Sequence, residues 1–155
     1  MPIKAKGSMT SFDLAAVIRE LQPLVGARLN NIYSYMNGFL LRFKGVTDAN
    51  LVSIPAERIH LTNYVPAEKG MPPPLVMGLR KYLRGSKLEE VVQYKFDRIA
   101  VLRFCSGEGC FRLIVELLPR GVIVLSNENW RIIFTTETRE MKDRVLRPAM
   151  VSVAK

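Results

Sequence analysis

The sequence predicts a single α+β domain built mainly from antiparallel strands, a β-sandwich or partly closed barrel with two flanking helices. Three observations lead there. Only two segments, around Leu14 to Leu21 and Leu75 to Leu83, carry apolar residues at helical spacing. From Leu88 onward the chain is a succession of strand-like runs cut by short polar turns. Finally, 155 residues that are 48% hydrophobic and 24% charged have an ordinary globular composition. A chain of this length buries roughly 68–70% of its unfolded surface, enough for a core without staples.

Taken in order, residues 1–8 are an N-terminal arm, residues 9–147 the domain, and residues 148–155 an exit segment toward modules not present. Thr10-Ser-Phe-Asp13 reads as a capping box, with Asp13 in place of the usual Glu. Leu14, Val17, Ile18 and Leu21 then form one apolar helical face, closed by Pro23 and Gly26. Residues 29–35 and 39–43 make a hairpin around Asn37-Gly38, a pair that tolerates the positive φ of a type I′ turn. Residues 51–54 and 58–62 are further strands, interrupted by Pro55. Residues 66–74 form a loop, and Pro73 or Pro74 enters the first turn of a second helix, where a missing N–H costs nothing. Leu75, Leu79 and Leu83 share the apolar face of that helix, which stops at Gly85. Residues 88–94, 99–105, 110–117, 122–125 and 131–135 complete an antiparallel meander.

Lys and Arg number 23 against 14 Asp and Glu, for a formal charge of +9 and a pI near 9.9. Such a balance is the electrostatic footprint of a nucleic-acid binder, since basic side chains release counterions from phosphates. A solvated basic surface that only aids solubility is the alternative. Lys4 and Lys6 are not followed by the apolar stretch of a signal peptide, and no apolar run approaches the ~20 residues of a membrane span. The expected location is cytoplasmic. Cys105 and Cys110 bracket a hairpin tip, so a disulfide is geometrically possible, while reduced thiols are the default in the cytosol; both states stay open. Two cysteines and the one distant histidine, His60, make no zinc site, and no cofactor is expected. No nucleophile elbow, phosphate loop or dinucleotide fingerprint is present, and a lone histidine supports no triad. The chain reads as a binding module, not an enzyme.

The candidate binding residues are basic. Arg80, Lys81, Arg84 and Lys87 fall on the second helix, with Arg80, Arg84 and Lys87 at i, i+4 and i+7, and no acidic residue lies between Gly70 and Leu88. Such a stripe suits a phosphate backbone, though an amphipathic helix needs a polar face in any case. Asp97-Arg98 lies in an inter-strand turn, where Asp commonly bonds its own backbone. Asp13 is explained as a helix N-terminal carboxylate.

Several phrases in order resemble one family: Ser11-Phe-Asp13-Leu with Arg19-Glu-Leu21; Gly26-x-Arg28-x-x-Asn31-Ile-Tyr33; Phe39-Leu-Leu-Arg-Phe43; Arg58-Ile-His-Leu-Thr62; the proline-rich loop into Leu79-Arg-Lys81; Gln93-x-x-x-Asp97-Arg98-Ile; and Glu116-Leu followed by Gly121-x-Ile-Val-Leu125. Together they resemble the N-terminal domain of the NFACT family, the ribosome-quality-control factors called RqcH in bacteria and NEMF in animals, older name fibronectin-binding protein A. Val122 departs from the family pattern, which has Asn after the glycine. The resemblance implies a fold similar to the N-terminal domain of formamidopyrimidine DNA glycosylase. The Pro-Glu pair that such glycosylases use is absent, since Ile3 follows Pro2.

The resemblance further implies partners: the large ribosomal subunit carrying an obstructed nascent chain-tRNA, and tRNA recruited for C-terminal tailing. It assigns that tailing role to Asp13, Asp97 and Arg98, which are expected to meet in space. The older family name carries the alternative, an adhesin-like protein-binding (fibronectin-binding) module.

Overall fold

The computed structural model describes residues 10–35, 38–45, 49–54, 58–62, 71–95, 98–117 and 122–136. Helix α1 spans Ser11–Leu21 and a single 3₁₀ turn follows at Gln22–Leu24. Then come strands β1 (Arg28–Tyr35), β2 (Gly38–Lys44), β3 (Ala49–Ile54) and β4 (Arg58–Thr62), helix α2 (Pro74–Leu83), and strands β5 (Lys87–Gln93), β6 (Ile99–Ser106), β7 (Gly109–Glu116), β8 (Val122–Asn127) and β9 (Ile132–Thr135). The arm at 1–8, the turn at 36–37, the loop at 63–70, Asp97, the turn at 118–121 and the segment 137–155 lie outside the described residues.

All nine strands belong to one sheet, in the order β4-β3-β2-β1-β5-β6-β7-β8-β9, and every ladder is antiparallel. The partly closed barrel is thus realised as a curled half-barrel. Its curl is forced by packing. Phe43 on β2 and Phe104 on β6 are three strand spacings apart in the sheet, roughly 14 Å if it were flat. Their rings nevertheless stack with centroids 6.2 Å apart, so the two halves fold over a shared interior. β1 and β5 meet at that fold through one register pair, Arg28 opposite Lys87, reinforced by backbone bonds such as Gly26 N–H to the Leu88 carbonyl at 2.7 Å and Leu29 N–H to the Ser86 carbonyl at 2.8 Å.

Both helices fill the concave side. Leu14, Ile18 and Leu21 of α1 and Val76, Leu79 and Leu83 of α2 are buried together with Leu29, Ile32, Phe39, Phe43, Leu88, Leu102, Phe104 and Leu125. Each such side chain is worth roughly 1.5–3 kcal/mol of transfer free energy. Leu75, expected on the inner face of α2, is only partly buried, because Val76 takes that place. Thr10 Oγ1 accepts from Asp13 N–H at 3.0 Å and Asp13 Oδ2 accepts from Thr10 N–H at 3.0 Å, the capping box expected at the start of α1. Gln22 Nε2 ties α1 to the sheet by donating to the carbonyls of Ile18 and Val91, each at 3.0 Å. In α2, Gly78 lets the ring of Phe134 on β9 come close: a Cβ there would stand 2.8 Å from Phe134 Cε2.

The hairpin between β1 and β2 closes with Tyr35 opposite Gly38. Gly38 therefore belongs to the ladder and not to the turn expected at Asn37-Gly38. Cys105 and Cys110 are directly opposite across β6 and β7 and form a disulfide, with Cα atoms 4.0 Å apart.

Candidate nucleic-acid interface

The basic stripe does not run along one helix. Helix α2 ends at Leu83. Arg84 is its cap in extended conformation, Gly85 turns the chain at φ 91°, and Lys87 opens β5. The spacing of Arg80, Arg84 and Lys87 mimicked a helix because the residues that stop it, Gly85 and Ser86, fall inside the pattern. Arg80 is also committed to the fold: its Nε donates to the Ile32 carbonyl at 2.8 Å. Lys81 lies over the neighbouring Tyr82 ring at 5.4 Å. Arg84 reaches Asn31 Oδ1 at 3.2 Å and is exposed.

A different basic array forms instead. Register places Lys44 of β2 opposite Arg28 of β1, and Arg28 opposite Lys87 of β5. Three cations thus line one rung across three adjacent strands, each exposed and each beside a core residue (Phe43, Leu29, Leu88) that faces the other way. Arg28 Nη1 donates to the Gly85 carbonyl at 2.9 Å, which ties the rung to the end of α2 and so to Arg84. Like charges directly opposite in neighbouring strands oppose pairing. A row of them is stabilised by a polyanion laid across it. The Arg28–Lys44 half was not readable from the expected hairpin, whose turn at Asn37-Gly38 would set Lys44 opposite Asn31. It depends on Tyr35 pairing with Gly38 and on the register shift between Leu29 and Asn31, and the Lys87 half required the long-range pairing of β1 with β5.

Asp13 and Arg98 are placed by separate elements, and Asp97 lies outside the described residues. Asp13 is exposed in the first turn of α1. Arg98 is half-buried just before β6, its carbonyl accepting from Leu117 N–H at 2.9 Å. Gln93, at the end of β5, donates through Nε2 to the Ser11 carbonyl at 3.0 Å. That bond ties the first turn of α1 to the end of β5. Among the described residues no group of three or more His, Cys, Asp and Glu side chains suits a metal, and no helix is long and apolar enough to cross a membrane.

Residues 10–151 match the family model of the NFACT N-terminal and middle domains. Ribosome quality control complex subunit NEMF of Homo sapiens is 36% identical over 131 residues, 83% of this chain and 12% of that protein. The archaeal Rqc2 homolog aRqcH of Methanocaldococcus jannaschii is 33% identical over 133 residues, 80% of this chain and 20% of that protein. This chain therefore spans a fifth or less of the length of these relatives. Among solved structures, the N-terminal part of the fibronectin/fibrinogen-binding protein of Streptococcus suis superposes with a TM-score of 0.75 at 26% identity, covering 84% of this chain and 54% of that one. The half-barrel with its two inner helices is shared with these N-terminal domains, and the relatives are ribosome quality control factors. By the match over residues 10–151, the chain belongs to the NFACT family.

Proposed function

We propose that this chain is an RNA-binding module of ribosome-associated quality control. It binds the large ribosomal subunit carrying an obstructed nascent chain-tRNA and helps recruit tRNA for C-terminal tailing. The observation that carries the reading is the cationic rung Lys44–Arg28–Lys87, tied through the Gly85 carbonyl to the end of α2 at Arg84, in a chain whose relatives are ribosome quality control factors. The rung gives the phosphate contacts that position an RNA, which carry affinity but no sequence information. Asp13, Asp97 and Arg98 supply the discriminating contacts in this reading. A guanidinium fork at Arg98 suits bidentate pairing with a phosphate or carboxylate, and the carboxylates accept from ribose hydroxyls or base amines. Arg80 also holds the fold, its Nε bonded to the Ile32 carbonyl.

The test replaces Arg28, Lys44 and Lys87 with Ala and measures binding to tRNA and isolated large subunits across salt concentrations. Weaker binding is expected, with the salt slope shallower by about 0.7–0.9 for each phosphate no longer neutralised. Unchanged affinity and slope in the folded triple variant would return these residues to a merely solvated surface. A second reading, a protein-binding module, rests on the fibronectin- and fibrinogen-binding name of the structural neighbour. Fibronectin binding by the same variants, insensitive to the rung, would favour it.

A further inference from the structure

The convex face of the sheet, opposite the helices, carries a second feature outside the rung. Two rows cross it. Val92, Val101, Ile114 and Val124 follow one another from β5 to β8, and beside them run Glu90, Arg103, Arg112 and Ser126. Between these rows and the turns at either end opens a cleft of about 260 Å³, lined by Glu90, Val92, Lys95, Val101, Arg112 and Trp130 among others. That volume lies just under the roughly 300–1,000 Å³ of drug-sized sites, the scale of a single planar group and not of a peptide.

Three features mark the cleft as more than a gap between side chains. Its two ends are the non-glycine residues described at positive φ, Lys95 at 44° and Trp130 at 65°. A bulky residue in that region is strained, and such strain persists where the surroundings over-determine it. Here Asn127 does so: its Oδ1 accepts from the N–H groups of Asn129 (2.8 Å) and Arg131 (2.9 Å), and its carbonyl accepts from Trp130 N–H (3.0 Å). Second, the Arg112 guanidinium stands 4.3 Å from the Trp130 ring centroid, held by a bond from Nη1 to the Glu128 carbonyl. Burial pushes this guanidinium down from its ordinary value, and Glu128 raises it only in part. Third, Val92, in the lining of the cleft, stays exposed at 39%, an apolar surface left open beside charge.

We propose that the cleft takes one unpaired base of a single-stranded RNA segment, with the Trp130–Arg112 pair as its stacking surface, Val92 beneath it, Glu90 accepting from an exocyclic amine, and Lys95 on the phosphate side. Aromatic rings and guanidinium planes are the two side-chain surfaces on which splayed-out bases stack, and such stacking is worth roughly 1–3 kcal/mol per base. Uracil lacks the amine that Glu90 accepts from, so adenine and cytosine bind more tightly. The inference deepens the RNA-binding reading and rests on it for the source of the base.

Trp130 is the one tryptophan of the chain, so its fluorescence reports on this cleft alone. The full chain is titrated with AMP, CMP, UMP, inorganic phosphate and a short unstructured oligoribonucleotide. Saturable quenching is expected, about tenfold tighter for CMP than for UMP, the size of one charge-assisted hydrogen bond. Glu90→Gln should erase that preference, and Lys95→Ala should weaken the oligonucleotide more than the mononucleotides. No quenching by any nucleotide, equal response to CMP and UMP in the unaltered chain, or quenching by phosphate alone would each overturn the proposal. These results separate from those of the rung. Nucleotide quenching that survives while Arg28, Lys44 and Lys87 prove dispensable for ribosome binding sinks the broader reading and leaves the cleft. A salt-sensitive rung with a silent Trp130 does the reverse.

Discussion

Asp13 has two claims on it, and a pair of variants separates them. As the acidic member of the capping box it returns a bond to Thr10 N–H, while Thr10 caps Asp13 N–H. Losing either partner costs about 1 kcal/mol. Thr10→Ala and Asp13→Ala should therefore lower thermal stability by similar amounts. If Asp13 also contacts RNA, only Asp13→Ala loses tRNA binding at a temperature where both variants are folded; parallel loss in the two would leave it a cap. The box was legible because its residues are neighbours in the chain and its geometry is local. The cationic rung was not legible: a hairpin turning at Asn37-Gly38 would set Lys44 opposite Asn31, and the register shift between Leu29 and Asn31 brings it to Arg28 instead. Nothing near Lys87 in sequence announces Arg28 as its partner. Trp130 gave no sign at all, since its importance comes from a turn conformation and from Arg112 arriving from a different strand.

At the scale of elements, α2 shows how a helix and an edge strand constrain one another. Gly78 sits mid-helix, where Ala ordinarily gains about 1 kcal/mol. Here a methyl group would stand 2.8 Å from the Phe134 ring, and overpacking of that kind costs about 1–3 kcal/mol. Gly78→Ala should therefore lose on the order of 1 kcal/mol net in denaturant unfolding. Adding Phe134→Leu should recover part of the loss. A stabilised Gly78→Ala chain would show that β9 yields freely. The end of α2 was correctly marked by Gly85, yet extending its basic pattern to Lys87 ignored that same marker. Periodicity continued across the break by coincidence, and the break, at φ 91°, decides which side chains share a surface.

For the molecule as a whole, the meander after Gly85 was readable from turn residues and alternation, whereas the union of two halves into one curled sheet was not. Curl depends on inner-face residues such as Phe43 and Phe104 meeting at 6.2 Å, although they stand far apart in the sequence. The strand order makes the asymmetry plain: among the described strands each ladder joins neighbours in the chain, with the sole exception of β1 with β5. That exception sets a folding order. Hairpins of small loop length close early, because little chain entropy is lost in forming them, and pairings across long stretches wait. With the Cys105–Cys110 bridge formed, the β6–β7 hairpin is already tethered in the unfolded chain. The second meander should then organise first, and the joint between Ala27 and Leu88 should close last, after the rate-limiting barrier. In refolding and unfolding kinetics, Val115→Ala should slow folding, whereas Ala27→Gly should act almost wholly by speeding unfolding. The same late joint carries the middle of the cationic rung, so the surface proposed to meet RNA would be assembled at the final step, when the two hairpin stacks dock.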